Sequence, residues 1–117
     1  MPYFASLYNN RTKKWTLHEY KSIIDCRKAC YKNIKETDAY NIPITMSKTG
    51  KRVIGEVHTN IEIINGKAVE TGIVFSGYQG YSSPGLYPLK PNGAVGRMIL
   101  TTQNYQRKMY LRDLIRA

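Results

Sequence analysis

The sequence predicts an α+β domain: an antiparallel sheet of about five to six strands packed on one main amphipathic helix, with a second helix at the C-terminal end. Three observations carry that expectation. Apolar residues alternate with period two in the first twenty residues and again between Val53 and Phe75, which is the signature of strands with one buried face. The stretch "SIIDCRKACYKNIKE" repeats its apolar residues most clearly at the helical period. Turn dipeptides, Thr49-Gly50 and Asn65-Gly66, separate the strand-like runs. The element order is therefore ββαβββ-loop-βα, and 117 residues suit a single domain, 1–117, with a modest core.

Taken in order, "YFASLYNNRTKKWTLHEY" is a β-hairpin: Tyr3, Ala5 and Leu7 alternate on one strand, Trp15 and Leu17 on the next, and "NNRTKK" turns between them. The helix follows, with Ser22 and Asp25 placed as a capping box and the acid favourable to the helix dipole. Ile23, Cys26, Cys30 and Ile34 share one face of it, so the two cysteines are core residues rather than a redox pair. Arg27 falls within that apolar face and must snorkel or find a carboxylate. Residues 42–76 form a three-stranded meander. Within it, Val53, Val57, Ile61 and Ile63 reach the same face as Val69, Ile73 and Phe75 only if an extra residue enters the hairpin, and a three-residue turn with Gly66 left-handed supplies it. The opposite face, with Glu56, His58, Asn60 and Glu62, is then polar and solvated. The tail "GRMILTTQNYQRKMYLRDLIRA" opens as a short strand and continues as a helix from Thr101 or Thr102, although alternation at "KMYLRDLI" leaves a strand open there.

Charge narrows the function. Eighteen Lys and Arg against eight Asp and Glu give +10, which favours a polyanionic partner, nucleic acid first. The acids are unevenly placed: none occurs in residues 1–18 or between Thr71 and Arg112. No apolar run has the length of a signal peptide core or a membrane span, so a cytoplasmic, intracellular protein without membrane partners is expected. Two cysteines and two unrelated histidines do not make a zinc site, and no cofactor is implied. Richness in Lys, Ile, Asn and Tyr suits an AT-rich genome, such as many bacterial viruses have.

The basic residues fall into three groups. Arg11, Lys13 and Lys14 occupy the tip of the first hairpin, Lys28, Lys32 and Lys35 form a stripe on the helix, and Lys90 and Arg97 follow the loop "GYQGYSSPGLYP". That loop sets Tyr78, Tyr81 and Tyr87 among glycines and prolines. Glycines let a backbone approach a ligand, prolines restrain the loop, and tyrosine faces stack on bases at roughly 1–3 kcal/mol each. The alternative is that the rings pack back on the sheet and plug its end. "YSSPGLYPL" resembles the Tyr-x-Pro-Gly-Leu-Tyr segment of filamentous-phage single-stranded-DNA-binding proteins over about a dozen residues; those are small OB-type dimers, and the resemblance implies a single-strand-binding role for the loop.

Enzyme signatures are sparse. There is no phosphate-binding glycine loop, metal pair or nucleophile elbow. The leading expectation is a non-catalytic protein that holds single-stranded DNA or RNA by loop tyrosines and Lys/Arg. A phage counter-defence inhibitor that binds a host protein or captures a signalling nucleotide is the second. A small metal-independent ribonuclease, using His18, His58, a Tyr and an Arg, is the third.

Overall fold

The computed structural model describes residues 2–78 and 84–99. It contains β1 (Tyr3–Asn9), β2 (Lys14–Tyr20), α1 (Ile23–Glu36), β3 (Asn41–Thr45), β4 (Val53–Ile64), β5 (Lys67–Gly77) and β6 (Gly85–Pro88). The six strands make one antiparallel sheet in the order β2-β1-β3-β4-β5-β6, with α1 packed on one face. The α+β class follows from the sequence as expected. The described strands form an open sheet and not the barrel that an OB-type resemblance implies. The expected C-terminal helix lies outside the described residues, as does Tyr81.

Each local element has an identifiable cause. The Asn9 side chain accepts the backbone N–H groups of Arg11 and Thr12 at 2.9 and 3.2 Å, while Lys13, at φ 57°, returns its N–H to the Asn9 carbonyl. The β1–β2 turn thus satisfies itself. At the start of α1, Ser22 is extended and its hydroxyl accepts the Asp25 N–H at 3.1 Å. At the end, Thr37 gives both its N–H and its hydroxyl to the Asn33 carbonyl. Cys26, Cys30 and Ile34 then meet Ala5, Ile42, Ile44, Val57 and Phe75 in the main core.

Two features of the sheet depart from the sequence reading. The β4–β5 turn is the two-residue form: Ile64 pairs with Lys67, and Asn65 and Gly66 both have positive φ, 52° and 78°. The extra residue that the apolar pattern demanded sits farther along, at Gly72 (φ 60°), where the register changes between Thr59↔Ile73 and Asn60↔Thr71. A bulge there brings Val57 opposite Phe75 on the helix side, as the core requires, but leaves Ile63 and Val69 on opposite faces nearer the turn. The polar row is likewise not a solvated surface. Glu56, His58 and Asn60 are 4, 3 and 7 % exposed, and Glu62 alone of the four is exposed.

After β6 the chain makes a tight turn at Lys90–Ala94 and comes back along β6, with Gly96 N–H to the Pro88 carbonyl and Ile99 N–H to the Leu86 carbonyl. Gly93 (φ 90°) rests against α1 so closely that a Cβ there would lie 2.2 Å from the Ile24 carbonyl oxygen. Its own carbonyl accepts Arg27 Nε–H at 2.9 Å, and the Arg27 guanidinium lies 5.1 Å from the Phe75 ring centroid. Arg27, 4 % exposed, is thus held in the core by a backbone oxygen and an aromatic face.

Candidate nucleic-acid interface

Helical spacing puts Lys28, Lys32 and Lys35 on the outer side of α1, and all three are exposed. Because Gly93 seats the post-β6 turn on the same helix beside Lys28, Pro91 is brought next to them. The result is a groove of about 250 Å³ lined by Lys28, Tyr31, Lys32, Lys35, Glu36 and Pro91. The lining combines the Tyr31 ring, which also packs against the main core, and Pro91 with three lysine side chains and the Glu36 carboxylate. Lys90, exposed and adjacent to Pro91, adds a fourth cation to the neighbourhood. The hairpin tip docks at the far end of the helix, where the Asn10 side chain accepts the Asp38 N–H at 3.0 Å. Arg11, Lys13 and Lys14 are exposed there, beside a second cavity of about 260 Å³ lined in part by Tyr8, Trp15 and Tyr40. Arg97 is exposed on the segment returning along β6.

The two described loop tyrosines, Tyr78 and Tyr87, do not join this face. Tyr87 is 8 % exposed and packs in the main core, its ring centroid 6.5 Å from that of Phe75. Its ring is not available for stacking; this member of the trio is a plug. Tyr78 is half-buried against Val74 and Leu86 on the side away from α1, and its hydroxyl donates to Glu56 Oε2 at 2.7 Å. The residue that the sequence reading passed over is Tyr31. Its signal was available: it sits three positions from Lys28, one from Lys32 and four from Lys35, on the border between the apolar and basic faces.

A second polar cluster lies on that opposite side. His58 Nδ1 is 2.7 Å from the Thr59 carbonyl, which can only accept, so Nδ1 carries the proton. In the neutral ring Nε2 is then an acceptor, and the Ser76 hydroxyl, 2.7 Å away, donates to it. A serine on an imidazole nitrogen is a nucleophile–base arrangement in outline, but Ser76 is fully buried, with no accessible surface. The two histidines do not cooperate either. His18 pairs with Ala5, which faces the helix, whereas His58 shares the other face with Ser76, and β1 and β3 stand between their strands. His18 and His58 therefore do not form an acid–base pair with one another.

Burial raises the Tyr20 hydroxyl to about 12, with the neighbouring cysteines adding to the effect. Cys30 is pushed well above the usual thiol range by its hydrogen bond to Cys26 and by burial. Both thiols are free and fully buried, as core residues should be. Among the described residues no group of His, Cys, Asp or Glu is arranged to hold a metal ion, and no helix is long and apolar enough to cross a membrane. No protein family, curated protein or solved structure matches the chain.

Proposed function

We propose that the protein binds single-stranded nucleic acid without catalysis, along the outer face of α1. The observation that carries this reading is the groove that Lys28, Lys32 and Lys35 share with Tyr31 and Pro91, with Glu36 at its edge. Lysines are suited to phosphate oxygens, and a tyrosine ring beside them is suited to an unstacked base. The net charge of +10 supplies the long-range attraction that would bring a polyanion to this surface. Relative to the sequence expectation, the stacking ring moves from the tyrosine loop to the helix, while the cationic residues keep their part.

The test is binding of a random-sequence oligonucleotide, followed by fluorescence anisotropy at several salt concentrations. Log affinity should fall linearly with log salt, and replacing Lys28, Lys32 and Lys35 together by Ala should flatten the slope by about 2, given roughly 0.7 per phosphate contact on a single strand. Tyr31→Ala should weaken binding by roughly 1–3 kcal/mol and Tyr31→Phe hardly at all. Absent binding, or a salt slope indifferent to the triple substitution, refutes the assignment.

A further inference from the structure

The β4–β5 hairpin outruns its neighbours. The last β3 partner of β4 is His58, and the last β6 partner of β5 is Val74, so residues 60–72 form a two-stranded arm paired, among the described residues, chiefly with itself; its base is covered, with Asn60 and Ile61 7 and 2 % exposed, and residues 62–67 at its end are all exposed. From residue 60 to 64 the arm reaches about 14 Å, at roughly 3.4 Å per residue. Its tip is apolar on both faces. Ile63 is 58 % exposed on one, and Ile64 and Val69 are 44 and 38 % exposed on the other, a direct result of the bulge at Gly72. A free two-stranded ribbon gains little stability alone, and exposed apolar side chains at its end add to the cost of leaving it bare.

The arm also differs in charge from the rest of the chain. Residues 60–72 contain Glu62 and Glu70 against Lys67, in a protein that carries +10 overall. An apolar wedge with an acidic flank calls for an apolar cleft with a cationic rim. The molecule itself has one: the groove of Tyr31 and Pro91 bordered by Lys28, Lys32 and Lys35. Arm and groove are also neighbours, since Ile34 and Lys35 of α1 line a common hollow with Thr59, Gly72 and Ile73 at the arm's base. An arm that leaves the body beside its own groove can cross a two-fold axis into the groove of a second copy, which returns its arm in the same way.

We infer that two copies of this chain associate by reciprocal exchange of the 60–72 arm, with Ile63, Ile64 and Val69 entering the partner's groove and Glu62 meeting its lysines. The inference rests on the shape and charge of the groove and not on nucleic acid being its ligand. The experiment is sedimentation equilibrium of nucleic-acid-free protein across a wide concentration range. The wild type should dissociate reversibly from dimer to monomer, and Ile63→Glu should raise the dissociation constant about tenfold or more, as expected for losing a buried aliphatic side chain. Glu62→Lys and Lys32→Glu should each weaken the dimer, and mixing the two variants should restore it, because one of the mixed interfaces is wild-type in charge and the other is reversed on both sides. A monomer at every concentration, a dimer indifferent to Ile63→Glu and Glu62→Lys, or a mixture that fails to recover overturns the inference. Arm and oligonucleotide would compete for one groove, so oligonucleotide affinity is measured at concentrations where sedimentation shows monomer; there the groove is open in wild type and in the Ile63→Glu variant alike, and equal affinities keep the proposed function separate from the dimer.

Discussion

Replacing Gly93 by Ala isolates the contact that builds the groove. The turn carrying Pro91 is seated on α1 only because residue 93 has no side chain: an added Cβ would fall 2.2 Å from the Ile24 carbonyl oxygen and 3.1 Å from Lys28 Cβ. Backbone cannot give way cheaply, so the turn must lift. Lifting breaks the buried bond from Arg27 Nε–H to the Gly93 carbonyl, a charge-assisted bond of roughly 1.5–3 kcal/mol. The left-handed φ of 90° adds roughly 1–2 kcal/mol for an L side chain. The sum is about 2.5–5 kcal/mol, read from urea unfolding curves. Gly50→Ala is the control, because Gly50 has φ 74° with nothing within 4 Å and so reports the backbone cost alone. Gly93→Ala should also weaken oligonucleotide binding under conditions where the protein remains folded, since Pro91 leaves the lysines. If Gly93→Ala costs no more than Gly50→Ala, the turn is not held against the helix and the groove as described does not exist.

The other expectations concern groups buried in the body. Tyr87→Ala should lower stability by about 3–5 kcal/mol in the same unfolding assay, as loss of a core aromatic does, with binding falling only as the fold is lost; a stable variant with weakened binding would return the ring to a ligand platform. Ser76→Ala removes the donor to His58 Nε2 and should cost about 1–3 kcal/mol, whereas a neutral effect would show that the imidazole does not depend on it. Alkaline pH should destabilise the protein. The unfolded chain releases its thiol protons near ~8.5 and its tyrosine protons near ~10. Folded Cys30 holds its proton well above the usual thiol range, and folded Tyr20 holds its own to about 12. The folded state therefore binds more protons in that interval, and stability must fall from about pH 8.5 towards 12; an unfolding midpoint that rises there would contradict the buried environment of both groups.

What could be read from the sequence was whatever a single local signal determines. Ser22, Asp25 and the apolar face of α1 specify the helix and bury both cysteines without help from distant residues. The parity argument in the meander was also sound, because core packing does require an odd residue, but parity does not say where it enters. Asn65-Gly66 satisfies the tight two-residue turn too well to be enlarged, so the bulge falls at the next glycine able to take positive φ, Gly72. The polar row Glu56, His58 and Asn60 misled because alternation identifies two faces without saying that only one is buried; here polar partners such as Ser76 and Tyr78 let both be covered. Tyr87 misled for the opposite reason, since loop-like glycines and prolines hid the short strand that turns its ring inward. The groove itself depends on Gly93 meeting the helix 66 positions from its partner Arg27, a contact no local pattern encodes.

One modest contact has a mechanical meaning. The register between β1 and β3 consists of the single pair Phe4↔Thr45, and beyond it the Asn33 side chain takes the place of a neighbouring strand, accepting Tyr8 N–H at 2.8 Å and donating to the Tyr8 carbonyl at 2.9 Å. One amide thus imitates the peptide group that β3 fails to supply. The sheet is therefore two leaves joined at a seam, the β1–β2 leaf and the β3–β6 leaf, with the helix as the clasp across them. The Arg11–Lys14 end is therefore fastened to the body through the helix and its exit, by Asn33 on Tyr8 and by Asn10 on Asp38, and hardly at all through β3.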